Sequence, residues 1–319
     1  MTGKPAILVY DTLLAHIVRR LETHFDIVFA KRNAPPAISP EDAARIRGAA
    51  IYGRFGAEWI DILPNLEIIS HFGVGYDGVD CAAAARRGIV VTNTPEVLND
   101  EVADSTLGLL LSTIHRSFAA ENWLRSGNWL KSACPLAPLS LKGRTVGLYG
   151  LGRIGLEIAH RLEPFKVKIA YHTRSVRDDV GYDYYPSLLE LATAVDTLIC
   201  IVPGTADTHK SVNAAVFSAL GSNGVFISVG RGSSVDEDAL VTALETGTIA
   251  AAGLDVFYDE PNVPERLMAL DNAVLWPHVA SATVPTRNAM GDLVVDNIIH
   301  WFADGKVLTP VPETPAPKV

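Results

Sequence analysis

Short apolar runs alternate along this chain with polar segments of helical spacing. Ala6–Tyr10, Phe25–Phe29, Ala49–Tyr52, Leu66–His71 and Val90–Asn93 each read as a buried parallel strand. Between them, Thr12–Glu22 and Pro40–Arg47 carry helical spacing. Pro35 and Pro36 break the chain before the second of these helices, and Glu41 and Asp42 suit its first turn. The alternation predicts a small doubly wound α/β domain over the first hundred residues. From Asp100 to Gly127 the apolar positions are dense, which predicts one long, largely buried helix. Asn128–Ser140, with Trp129, Pro135 and Pro138, reads as an irregular arm that either packs locally or reaches a partner subunit. Strands follow at Thr145–Tyr149, Val167–Tyr171, Thr197–Val202, Val225–Gly230, Ala250–Leu254 and Ala273–Trp276. A final helix begins near Pro285, runs through Ile299 and is expected to return to the first domain. The predicted organisation is therefore 1–98 with 286–319 as one domain and 99–285 as the other.

Between the strands at 145–149 and 167–171 lies the most informative stretch. Gly150-Leu151-Gly152-Arg153-Ile154-Gly155 reads G-x-G-x-x-G as the chain enters a helix. Gly150 permits a sharp turn, Gly152 lets a pyrophosphate approach the backbone, and Gly155 lets helix and strand pack closely. The helix N-terminus adds free N–H groups and a partial positive charge. Ile154, Ile158 and Leu162 give that helix an apolar face. This is a Rossmann-like dinucleotide unit. NAD-binding units usually place Asp or Glu after the second strand, for the ribose 2′-hydroxyl. Here the chain reads His172, Thr173, Arg174, Ser175, with no carboxylate before Asp178. A guanidinium and two hydroxyls suit a 2′-phosphate, so NADP is the expected cofactor, with NAD possible. Val202 and Pro203, ending the next strand, are expected beside the cofactor, and Thr208 is placed to donate to its phosphate.

Composition adds exclusions. The chain has 319 residues, 48% of them apolar and 20% charged, enough for two domains with sizeable cores. A formal charge of −9 argues against nucleic acid or an anionic membrane as partner. Cys81, Cys134 and Cys200 have no metal-like spacing and suit a reducing, cytoplasmic compartment. No metal site is expected. The opening MTGKPAILVYD reads as a first strand and not a secretory signal. No apolar run approaches the ~18 residues of a membrane span.

Three strand ends carry polar groups where open α/β sheets present ligands. Val229-Gly230 leads into Arg231, Leu254-Asp255-Val256-Phe257 into Asp259-Glu260-Pro261, and Trp276-Pro277 into His278. In the first domain, the Gly73-Val74-Gly75 turn follows a strand and can offer backbone N–H groups to a carboxylate. Each feature is ambiguous alone.

Together the ordered motifs GLGRIG (150–155), GRG (230–232), GLDVFYDEP (253–261) and PHVASAT (277–283) resemble the D-2-hydroxyacid dehydrogenase family across essentially the whole chain. The branch it most resembles is the NADPH-dependent glyoxylate/hydroxypyruvate and hydroxyphenylpyruvate reductases. The resemblance implies two Rossmann-like doubly wound parallel-sheet domains with the active site in the cleft between them, and a homodimer. It implies reduction of a small 2-keto acid, with His278 as proton donor and Glu260 as its carboxylate partner. An adjacent anion favours the protonated imidazole that reduction needs. It further implies that Arg231 binds the substrate's carboxylate and carbonyl oxygen in a fixed fork, and that the N–H groups of Val74 and Gly75 hold the carboxylate. Asp255 is implied to contact the nicotinamide carboxamide and Val229 to make a backbone contact. Leu151–Ile154 match the pyrophosphate turn and Thr173–Ser175 the NADP selector. Formate dehydrogenases carry Gln where Glu260 stands, and a phosphite dehydrogenase would place Lys where Val74 stands. The sequence leaves two alternatives: an NAD-dependent dehydrogenase for another D-2-hydroxy acid, and a non-catalytic dinucleotide-sensing relative. Trp276, before Pro277-His278, departs from the small or aliphatic residue common there; it would narrow the pocket or stack on an aromatic substrate if it reached it.

Overall fold

The computed structural model describes residues 3–32, 34 and 36–314. Pro35 and the last five residues of the Pro-rich tail thus lie outside the described residues. The chain divides into two compact units, Met1–Leu98 with Thr283–Val319, and Asn99–Ala282.

The first unit holds β1 (Ala6–Tyr10), α1 (Ala15–His24), β2 (Asp26–Ala30), α2 (Pro40–Arg45), β3 (Ile46–Ile51), α3 (Ala57–Ile62), β4 (Ile68–His71), α4 (Cys81–Arg86) and β5 (Val90–Thr92). The strands form a five-stranded sheet in the order β2-β1-β3-β4-β5, paired in parallel throughout. The strand residues of β1 and β4 are all buried, as continuous apolar runs covered on both faces require. α2 begins where Ser39 accepts the Asp42 N–H as an N-cap, with Pro40 at its start.

In the second unit come α5 (Asn99–His115), α6 (Ser117–Arg125), β6 (Thr145–Tyr149), α7 (Arg153–Leu162), β7 (Lys168–His172), β8 (Asp183–Tyr184), α8 (Leu188–Ala194), β9 (Thr197–Cys200), α9 (Ala214–Leu220), β10 (Val225–Ser228), α10 (Glu237–Glu245), β11 (Ala251–Leu254), α11 (Glu265–Met268) and β12 (Ala273–Leu275). Its seven-stranded parallel sheet runs β12-β11-β10-β9-β6-β7-β8. The order reverses at β6, so the C-terminal ends of β6 and β9 border the crevice where such sheets bind ligands. A Cβ on Gly155 would lie 2.3 Å from the Gly150 carbonyl oxygen, so no larger residue fits where α7 meets the turn.

The last helix, α12 (Val284–Asp304), packs within the first unit. Arg20 of α1 pairs with its Asp292 and Asp296, and Ser70 of β4 donates to its Val294 carbonyl at 3.1 Å. Asn297 accepts the N–H groups of Leu308 and Thr309, and Thr309 donates to the Asn93 carbonyl, tying the chain end to β5.

The segment expected as one long helix is two. Arg116 sits in the left-handed region at φ 52° and ends α5. α5 is well buried and lies against α7 and strands β10 to β12. α6 has no buried residue, and the irregular segment after it leaves Trp129, Leu130 and Leu136 largely exposed.

Candidate active site

Ser228, Leu254 and Leu275 end three neighbouring strands in direct register. Their loops therefore leave the sheet at one level. The ladder continues past the strands: Asp255 N–H bonds the Ser228 carbonyl at 2.9 Å, and Trp276 N–H the Leu254 carbonyl at 2.8 Å. This brings Arg231, Glu260 and His278 to one edge of one sheet. A Cβ on Gly232 would sit 1.9 Å from the Phe257 carbonyl oxygen, so only glycine lets the Arg231 loop touch the Asp255–Pro261 loop.

His278 Nδ1 lies 2.7 Å from Glu260 Oε2, while Glu260 Oε1 accepts the Phe257 N–H at 3.0 Å. Both oxygens of the carboxylate are thus held. Burial alone would raise the Glu260 carboxyl. The bond from His278 and its charge, the Phe257 N–H and the nearby charge of Arg231 outweigh it, and the group lies below the usual carboxylate range. With Nδ1 taken by Glu260, Nε2 is the imidazole atom left to face a substrate. His278 itself is held at φ 54°, a left-handed conformation that costs a non-glycine residue about 1–2 kcal/mol. Arg231 is half-buried and donates one guanidinium N–H to the Gly230 carbonyl at 2.9 Å.

Asp255, expected beside the nicotinamide carboxamide, also braces the His278 turn. It is 1% exposed, and its two oxygens accept the N–H groups of Val279 at 2.7 Å and Ala280 at 2.9 Å. Its main-chain carbonyl accepts the His278 N–H at 2.9 Å. Three successive N–H groups of the His278 turn are therefore gathered by one residue. Burial pushes the Asp255 carboxyl up, more than the two N–H groups and the His278 charge draw it down.

On the cofactor side, a Cβ on Gly152 would meet nothing within 4 Å, so the glycine turn is open where a pyrophosphate would approach. Leu151 is buried, Arg153 is exposed at the start of α7, and Ile154 is half-buried. Arg174 and Ser175 are exposed beyond β7, and Thr173 donates to the Ser175 carbonyl at 2.6 Å. Asp179, one of the two nearest carboxylates along the chain, is paired with Arg177. The residues present therefore fit a phosphorylated ribose better than a bare diol. Val202 and Val229 are nearly buried, which leaves their main chain to make contacts. Thr208, expected near the cofactor phosphate, is engaged in its own turn: its hydroxyl donates to the Pro203 carbonyl at 2.6 Å and accepts the Thr205 N–H at 2.9 Å. Its single proton closes its own turn.

In the first unit, the turn after β4 is pinned through its carbonyls. Gly73 accepts the Thr94 N–H at 3.0 Å and Val74 accepts from the Asn93 amide at 2.8 Å. The N–H groups of Val74 and Gly75 make no hydrogen bond among the described residues.

Trp276 packs against α5, its ring 3.5 Å from where a Gly108 Cβ would stand. It also lines a cavity of about 220 Å³, largely apolar, with Pro261, Met268, Glu260 and His278. Sequence reasoning missed Glu237. Its carboxylate, at the start of α10, accepts the Tyr258 N–H at 3.1 Å and so steadies the loop that carries Glu260. Burial pushes the Glu237 carboxyl up.

The family model for the NAD-binding domain of D-isomer specific 2-hydroxyacid dehydrogenases matches residues 107–280. The protein belongs to that family. It is an oxidoreductase of the 2-hydroxyacid dehydrogenase kind. The chain is 47% identical over 255 residues to a glyoxylate/hydroxypyruvate reductase of Arabidopsis thaliana, covering 80% of this chain and 81% of that one. The same identity and coverage hold for the hydroxyphenylpyruvate reductase of Plectranthus scutellarioides. Among solved structures, the NADPH-dependent glyoxylate/hydroxypyruvate reductase of Sinorhizobium meliloti, in complex with NADP and malonate, superposes with a TM-score of 0.97 at 57% identity, covering 99% of each chain. The two parallel sheets found here are thus those of a known 2-hydroxyacid dehydrogenase architecture.

Proposed function

We propose that this dehydrogenase uses NADPH to reduce a 2-keto acid (glyoxylate, hydroxypyruvate or an arylpyruvate) to the D-2-hydroxy acid. The observation that carries the reading is the His278–Glu260 pair at 2.7 Å, standing with Arg231 at one end of one sheet. The named activities of the Arabidopsis, Plectranthus and Sinorhizobium relatives support it. When bound, the reduced nicotinamide supplies the hydride. Everything else falls to the chain's own side chains. His278 gives its Nε2 proton to the carbonyl oxygen, and Glu260 keeps the imidazole oriented and stabilises its charged form. Arg231 holds the substrate carboxylate and carbonyl oxygen and offsets charge developing on that oxygen. On the first unit, the N–H groups of Val74 and Gly75 receive a carboxylate. The turn at 150–155 with the start of α7 takes the pyrophosphate, main-chain groups at Val202, Pro203 and Val229 line the nucleotide, and Thr173, Arg174 and Ser175 select the 2′-phosphate.

Among the described residues no helix is long and apolar enough to cross a membrane. The three cysteines are all unpaired thiols, which supports a cytoplasmic location. The exposed apolar side chains of α6 and the arm, Leu124, Trp129, Leu130 and Leu136, support a homodimer assembled through that segment. The test is oxidation of NADPH and of NADH with glyoxylate, hydroxypyruvate, phenylpyruvate and pyruvate. Turnover with at least one acid and a preference for NADPH is expected; binding of dinucleotide without turnover on any of them would overturn the reading.

A further inference from the structure

The loop that follows β7 is fastened at both ends and exposed between them. At its start, Tyr184 donates to the Thr173 carbonyl at 3.4 Å. At its end stands Arg177, two residues beyond Ser175. The Arg177 N–H bonds the hydroxyl of Tyr171, a buried residue of β7, at 2.9 Å, and that hydroxyl donates back to the Arg177 carbonyl at 3.3 Å. The Arg177 side chain turns toward the glycine turn, where Nη1 donates to the Leu151 carbonyl at 2.6 Å. Its Nε and Nη2 grip both oxygens of Asp179, the first at 2.9 Å. This two-point ion pair holds the guanidinium plane in one orientation. Between the fastenings, Arg174, Ser175 and Val176 are exposed.

We propose that Arg177 and Asp179 form a clasp that joins the glycine turn to the selector loop, and so presents Arg174 and Ser175 in the geometry that recognises the 2′-phosphate of NADPH. Arg177 is in this account a positioning residue, and the inference rests on the reading of Arg174 and Ser175 as the selector. A loop already ordered in the free protein loses less conformational freedom when its ligand arrives. Because the fixed residues are those that meet the 2′-phosphate, loosening the clasp weakens NADPH more than NADH. Gly150 N–H remains bonded to the His172 carbonyl at 3.0 Å, and Gly152 still accepts the Leu156 N–H at 2.9 Å, so the glycine turn keeps its shape without Arg177.

A competing role for Arg177 is a direct charge on the phosphate, since two of its five N–H groups are left after the bonds above. Asp179 separates the two. Removing a carboxylate near a bound dianion strengthens anion binding if charge alone matters. It weakens binding if Asp179 holds Arg177 in place.

The experiment measures Kd for NADPH and NADH by calorimetry, KM and kcat with each cofactor, and Tm. The variants are Arg177→Ala, Arg177→Lys, Asp179→Ala, the Arg177→Ala/Asp179→Ala double, and Arg174→Ala. The clasp predicts that Arg177→Ala and Asp179→Ala each raise Kd and KM for NADPH roughly fivefold or more, with NADH changed by less than about twofold. The double variant is no worse than the poorer single, as expected of partners in one unit, and Arg177→Lys recovers part of the loss. Tighter NADPH binding in Asp179→Ala would overturn the clasp, as would equal weakening of both cofactors accompanied by a lowered Tm. Arg174→Ala tests the selector separately. If it weakens NADPH while both clasp variants do not, the selector stands and the clasp falls. If the clasp variants weaken NADPH and Arg174→Ala does not, the selector reading falls, and with it the proposal that the clasp acts by presenting Arg174.

Discussion

Truncating Asp255 to alanine removes the one acceptor for two adjacent N–H groups, those of Val279 and Ala280. Bonds to a charged acceptor contribute about 1.5–3 kcal/mol each, and a buried N–H left without a partner costs about 1–3 kcal/mol. Ala280 is buried and receives no water in exchange, whereas Val279 is partly exposed and recovers some hydration. The raised carboxyl of Asp255 means that its burial already costs part of this gain. The net loss is therefore about 2–4 kcal/mol, or a Tm lower by roughly 5–15 °C for a domain of this size. The functional effect is larger in proportion. With its turn released, His278 is free to leave φ 54° and its imidazole drifts from Glu260. A displacement of about 1 Å is enough for a loss of about 100-fold in kcat. Thermal unfolding and steady-state kinetics at saturating NADPH check both numbers. Asp255→Asn, which keeps one acceptor oxygen, should fall between wild type and Asp255→Ala in each. An Asp255→Ala variant that keeps its kcat and loses only cofactor affinity, as a carboxamide contact alone would give, refutes this positioning role.

Glu260→Gln lowers turnover and also changes the pH dependence of stability. The Glu260 carboxyl is depressed in the folded protein, so its stabilisation is fully present above the unfolded value near ~4.3 and is lost as pH falls through the folded value. The Tm gap between wild type and Glu260→Gln should close on acidification below about pH 4; a gap that widens in acid contradicts this sign. In the arm, Leu130→Glu with Leu136→Glu places two charges on side chains more than 90% exposed in the single chain. Light scattering should find wild type at twice 34.2 kDa and the variant at 34.2 kDa; an identical mass for both removes the arm from the interface.

What was legible in the sequence was local or periodic. The strands read correctly because buried parallel strands are unbroken apolar runs, and their ends then located Arg231, Glu260 and His278. The glycine turn was visible because a 2.3 Å approach at Gly155 admits one residue type only. The break at Arg116 was not legible, since an arginine in the left-handed region looks in sequence like any helical arginine. β8 was missed because its two residues carry no period. The supporting partners were invisible for a different reason. Arg177 finds Leu151 across 26 positions, Glu237 finds Tyr258 across 21, and Asp255 finds Ala280 across 25. Such pairings follow from topology, which a linear pattern does not encode.

The proposed reduction requires that His278 supply the proton while taking no necessary part in holding the dinucleotide. Its most direct test pairs single-turnover kinetics of His278→Ala with calorimetric titration of the same variant by NADPH. The expected result is a fall in the reduction rate of about 100- to 10,000-fold with the NADPH Kd changed by less than about threefold, under 0.7 kcal/mol. A variant that still reduces its 2-keto acid at the wild-type rate contradicts the claim.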